Sequence, residues 1–253
     1  MLSRLRHDQR GVTLPELLIT LIIAMTVSLA TFSLIDFVMR RNGDISTRVD
    51  TVQRARTAMD QVTRVLRSQV CAWRSDDAAM TGSRSLYAAS PTSFTAFADF
   101  SSETLVGGVL PAPALRTLTL SSPTNGTLTE TVTPGQWVGG KVSYTFAGAT
   151  TKTRRMLTNI SLYRPVGTTD PPTAFFRYFT FNKADPPQPV NEIGQGRALT
   201  ADELETVAKI TVTFRVLGTR SSSDTGSTVL TNDVYVRTAD PNAEDPQPTC
   251  ATT

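Results

Sequence analysis

The residue types that carry most enzyme chemistry are scarce in this chain, and those present are oddly placed. The single histidine, His7, stands close to the N-terminus, so nothing beyond it has a side chain that ordinarily titrates near neutral pH. Serine–histidine and cysteine–histidine catalysis are excluded wherever the first residues are removed. Gly139-Gly140-Lys141 lacks the spacing of a phosphate-binding loop, and two cysteines with one histidine cannot close a zinc site. A hydrolase using only carboxylates is the one enzymatic reading left. Asp240, Asn242, Glu244 and Asp245 group oxygen ligands of the kind calcium takes, but their spacing matches no calcium loop, and a solvated acidic tail explains them as well.

One carboxylate stands out. Glu16 lies near the start of an apolar run, residues 10–39, in which Leu17 to Ile35 carries no charge. A hydrocarbon core about 30 Å thick needs roughly 20 apolar residues in a helix, so this stretch is suited to a membrane. An ionised carboxylate there costs at least a few kcal/mol unless it finds a cation. Pro15 falls where the first helical turn has no use for its missing N–H, and Glu16 in the same turn meets the positive end of the helix dipole.

These residues resemble the N-terminus of type IV prepilins and pseudopilins. That pattern is a short basic leader ending in Gly, then an apolar helix with Glu in fifth place. Here the leader is Met1 to Gly11, and counting from Val12, Glu16 is fifth. The resemblance implies cleavage after Gly11 by a membrane-embedded prepilin peptidase, N-methylation of Val12, and pairing of Glu16 with the N-terminal ammonium of a neighbouring subunit. Val12 departs from the family, in which Phe usually follows the cut. It further implies other pilin subunits and an inner-membrane assembly platform as partners, and a filament serving twitching, adhesion, DNA uptake or type II secretion. The N-terminus would stay inside a single-pass cytoplasmic-membrane precursor. Two other readings of the same stretch remain: a secretory signal cut after Ser28-Leu29-Ala30, and a plain anchor. Under either, the protein is a secreted or anchored β-rich adhesin or binding domain.

Charge adds little. The formal net charge of +3 includes a leader with Arg4, Arg6, Arg10 and Asp8, whose removal leaves 22 basic against 21 acidic residues. The balance gives no argument for nucleic acid. Nothing in the chain calls for a cofactor.

The elements that must carry these residues follow in order. After the apolar helix (12–39), Ile45, Val49, Val52, Ala55, Met59, Val62, Leu66 and Val70 recur at mostly three- and four-residue steps, predicting an amphipathic continuation over 40–72. Asp50–Arg54 and Asp60–Arg64 are favourably spaced charge pairs, and Asn42-Gly43 marks a point for a kink or melted turn. Residues 73–253 then form an exported β-rich domain. From Trp73 to Pro91 we expect a loop with one short strand at Ser85–Ala89. Strands follow at 93–100, 115–120, 126–133, 140–147, 153–164, 174–181, 207–216 and 228–237, with Asn125-Gly126 as a turn. The run at 174–181 predicts a core strand with Phe175, Phe179 and Phe181 on one face and Phe176 and Tyr178 on the other. Thr200 to Glu203 is a capping box, and two Pro-rich segments, 164–173 and 185–197, are expected as loops. The expected class is α+β, pilin-like: a long N-terminal helix packed on a mostly antiparallel sheet.

Cys71 and Cys250 bracket the exported part, and an exported chain tends to oxidise such a pair. A bridge would pin the tail to the end of the helix. The order of the β segments, with Arg154-Arg155, Leu162-Tyr163-Arg164 and the final strand, is similar to minor pilins of the PilW and J-type pseudopilin sort.

Overall fold

The computed structural model describes residues 12–78, 80, 82–100, 112–138, 143–165, 167–182, 186, 188–218, 227–236 and 250. In chain order the elements are α1 (Leu14–Arg67), β1 (Trp73–Arg74), β2 (Leu86–Ala89), β3 (Ser93–Ala98), β4 (Ala114–Leu120), β5 (Gly126–Pro134) and β6 (Gln136–Trp137). They continue with β7 (Ser143–Thr145), β8 (Lys152–Ser161), β9 (Phe176–Thr180), β10 (Asn191–Ile193), α2 (Ala201–Thr206), β11 (Lys209–Val216) and β12 (Thr228–Tyr235). This is the α+β, pilin-like arrangement expected. Tertiary contacts divide the chain into residues 1–46 and residues 47–253.

In the first unit the described part is helix α1 and the two residues before it, with its apolar side chains, Leu17, Ile22, Phe32 and Ile35 among them, exposed. The helix is long and apolar enough to cross a membrane once. Its assignment runs unbroken through Asn42-Gly43, so no turn melts there: one glycine costs only about 1 kcal/mol in a helix interior.

In the second unit the rest of α1 packs on a large sheet ordered β10-β9-β11-β8-β5-β4-β3-β2, with β12 on the other side of β11. Every pairing in it is antiparallel. Burial along the helix begins at Thr51 and takes in Ala55, Ala58, Met59, Val62 and Leu66. Ile45 and Val49, expected on the same apolar stripe, are 58% and 50% exposed. Periodicity marks the stripe, but the sheet decides how much of it is covered. Opposite the helix, Ile210, Val212, Phe214 and Val216 alternate inward from β11 and are fully buried, joined by Leu118, Leu128, Leu157 and Ile160 in one core.

A smaller core of Ala72, Met80, Phe97, Leu115, Tyr144 and Phe146 lies under a second sheet, β1-β7-β6. This corrects the expectation for 140–147. Only Ser143–Thr145 is a strand among the described residues, and it pairs with β1, in parallel, and β6 rather than with the main sheet. Residues 73–74 and 191–193, expected in loops, are short strands. The aromatic run is core as expected, but Phe175 precedes β9 and turns inward, its ring stacked on Phe214 at 5.3 Å and edge-on to Phe176 at 4.7 Å. Phe179 instead lies under the cations of Arg177 and Lys209.

Candidate functional site

The N-terminal site rests on the first turn of α1. Leu17 N–H donates to Thr13 C=O at 3.1 Å, closing the first helical ring over Pro15, which has no donor to lose there. Glu16 is exposed in that turn and has no ion-pair partner among the described residues. Val12 is 66% exposed just ahead of it. Gly11 lies outside the described residues, as do residues 1–10. Further along, Asp36 pairs with Arg40 at 2.9 Å and Arg41 sits 5.4 Å above the Phe37 ring. Charge pairs and aromatics of this kind suit a membrane–water boundary.

The second feature is the exit from α1. Ser68 C=O accepts from Asp99 N–H at 3.1 Å and Val70 N–H donates to Phe97 C=O at 2.9 Å, tying the chain to β3 as the helix ends. Directly after this tie, Cys71 is bonded to Cys250, with their Cα atoms 5.6 Å apart and a sequence separation of 179. Cys250 is buried. The bridge therefore fastens the chain's far end to the helix exit, as expected. Asp240, Asn242, Glu244 and Asp245 lie outside the described residues, and no group of His, Cys, Asp and Glu suited to a metal occurs among the described ones.

Two polar constellations were not foreseen. Glu130 sits fully buried on the helix-facing side of β5, on the alternation that also carries Leu128. One of its oxygens accepts from Arg116 Nη1 at 2.6 Å and the other from Arg154 Nε. Arg116 in turn lies 4.0 Å from the centre of the Phe100 ring, which also faces Arg64 of α1 at 4.8 Å. Both oxygens of the carboxylate are taken up by guanidiniums from the two flanking strands, so this cluster reads as a structural clamp.

The other constellation lies against the smaller core. Arg74 donates to both oxygens of Asp76, at 3.3 and 3.0 Å, and lies over the rings of Tyr87 and Phe146. Burial pushes the Asp76 carboxyl up, but the bonds from Arg74 and from the Phe146 N–H outweigh it and hold the group below its ordinary value. Tyr87 donates to Asp77 at 2.6 Å, and burial together with that bond raises the phenol. The sequence signal for Glu130 was its position on an apolar alternation; for Arg74 there was none beyond the charge pattern Arg-Ser-Asp-Asp.

Compared with known proteins, the chain matches no family model, no curated protein and no solved structure.

Proposed function

We propose that this chain is a minor type IV pilin or pseudopilin, made as a membrane-inserted precursor and assembled through α1 into a pilus or pseudopilus. The observation that carries the reading is Glu16: an exposed carboxylate in the first turn of an apolar, membrane-length helix, following a basic leader that ends in Gly11. The pairing of such a group with a neighbour's N-terminal ammonium removes the cost of carrying it into an apolar filament core. The partners are then a prepilin peptidase, other pilin subunits and the assembly platform of the inner membrane. The role is structural, and the β domain is the surface offered outward.

The test is the N-terminal sequence and intact mass of the protein recovered from cells that contain a prepilin peptidase. A mature chain starting at Val12, with or without one added methyl, is the expected result. A chain starting at Thr31 would make it a secreted β domain, and an intact Met1 terminus a simple anchor; either overturns the filament reading.

A further inference from the structure

The face of the large sheet turned away from α1 is lined with hydroxyls. Leu118 and Leu128 point into the core that α1 covers, so Thr117, Thr119, Thr129 and Thr131 beside them point the other way. Register aligns these residues across four strands. Thr95, Thr117, Thr131 and Thr153 stand in one row, and Ser93, Thr119, Thr129 and Arg155 in the next. The hydroxyls of Thr95 and Thr117 are hydrogen-bonded at 3.0 Å, and those of Thr131 and Thr153 at 3.1 Å. Thr117, Thr119, Thr129 and Thr131 are half-buried and Thr153 is exposed, while Thr95 is the buried end of its row.

Threonine favours strands, and cross-strand threonine pairs stabilise them. That accounts for individual residues but not for the lack of charge. A face in water ordinarily mixes lysine, arginine, glutamate and aspartate, whereas the two rows hold one charge, Arg155 at a corner. Each bonded pair uses one hydroxyl hydrogen internally and keeps the other, with acceptor lone pairs on both oxygens. Neighbouring strands place these groups about 4.8 Å apart along a row, with the rows roughly 7 Å apart and a methyl beside every threonine hydroxyl.

We infer that this face binds an extended, uncharged, β-linked polysaccharide lying along the rows, across the strands. A sugar ring carries the same two features as a threonine, hydroxyls at its rim and C–H groups on its faces. Consecutive rings of an extended chain recur at about the strand spacing, so each strand meets a ring. An α-linked chain curls away from a straight row, and a polyanion would find a cation only at Arg155. The proposal stands apart from the filament reading, since it uses only residues of the β domain.

The probes are cellohexaose and xylohexaose, both β-linked, with maltohexaose as the α-linked control. They are titrated by calorimetry into the full chain, held in micelles of a detergent without a sugar headgroup. Expected are binding of at least one β-linked oligomer, no binding of maltohexaose, and an affinity indifferent to added salt. The variant T117V/T131V keeps the β-branched shape and removes two hydroxyls, so it should bind roughly tenfold more weakly at an unchanged melting temperature. T129V/T153V gives the same reading should the first variant melt lower. Arg155→Gln should bind as the native chain does. Binding of neither β-linked oligomer, equal binding of maltohexaose, or unaltered affinity in the threonine variants would each overturn the proposal. So would loss of binding in Arg155→Gln, because the contact would then be made by the cation and not by the hydroxyls.

Discussion

Glu130 and Arg116 meet at 2.6 Å on the helix-facing side of the sheet, where the carboxylate has no exposure at all. Register places Arg116 opposite Val132 and Leu118 opposite Glu130, so the bond crosses the ladder diagonally. Arg154, from the strand on the other side, takes the second oxygen. Taking an ion out of water costs several kcal/mol, and the geometry must return that. Removing the anion alone leaves Arg116, only 17% exposed in its side chain, without its counter-charge. Glu130→Ala should therefore lower the unfolding free energy by roughly 3 to 5 kcal/mol, read from urea titration. The double variant R116M/E130L should recover most of the loss. A loss under about 1 kcal/mol in Glu130→Ala would show that the pair carries little net stability.

The Cys71–Cys250 bridge closes a loop of 179 positions. Cross-linking so long a loop restricts the unfolded chain by roughly 5 kcal/mol in the entropy model, and engineered or native strain lowers the realised figure. The variant C71S/C250S should lose about 3 to 5 kcal/mol, measured by denaturant unfolding under oxidising conditions. Reduction of the native protein should shift its melting temperature by a similar amount, and the variant should not respond to reductant.

Glu203 sets a pH dependence at the start of α2. Its carboxylate accepts from Arg197 at 2.7 and 2.5 Å and from the Thr200 N–H at 2.8 Å, while Thr200 Oγ1 accepts from Glu203 N–H at 3.3 Å. Arg197 first, then the Thr200 amide, bring its pKa down from 4.5 to about 2. A carboxyl depressed in the folded state stabilises above its unfolded value and loses that contribution as pH falls through the folded one. Protection of α2 against hydrogen exchange should thus be full above about pH 4.5 and fade towards pH 2, with Glu203→Gln flat across the window. The pair is exposed, so the effect is local and modest. Thr200→Ala, which removes the other half of the box, should cost about 0.5 to 2 kcal/mol.

This capping box was readable because all its parts lie within four residues, Thr200 to Glu203. The same holds for the alternation at Ile210 to Val216 and for the apolar helix. Distance in sequence marks where reading stops. Glu130 finds its partners 14 and 24 positions away, and no local pattern names them. Strands of two or three residues, such as Trp73–Arg74 and Asn191–Ile193, are too short to show a period, and exist because a neighbour supplies the other half of the ladder. Ile45 and Val49 fail in the opposite direction: the helical stripe is real, but the sheet that would cover it reaches only as far as Thr51. At the N-terminus Pro15 and Glu16 could be placed in the first turn because backbone chemistry fixes what that turn tolerates.

Glu16 is the residue on which the filament reading stands or falls. Leaving it unpaired in an apolar surrounding costs at least a few kcal/mol, and each 1.4 kcal/mol corresponds to about tenfold in an equilibrium. Glu16→Ala removes both the cost and the attraction to a neighbour's ammonium. Under the proposed processing, cleavage after Gly11 should proceed as before, since Glu16 lies beyond the cut, inside the first turn of α1, while incorporation into filaments should fall by roughly tenfold to a hundredfold. Glu16→Gln keeps the shape and polarity but not the charge, and should fail to the same degree if ion pairing is what counts. Intact mass reports processing, and the fraction of the protein sheared from cells with filaments reports assembly. Wild-type filament levels in Glu16→Ala would remove the reason for a carboxylate at this position and, with it, the pairing. A block of cleavage in Glu16→Ala would move the role of Glu16 from subunit pairing to peptidase recognition.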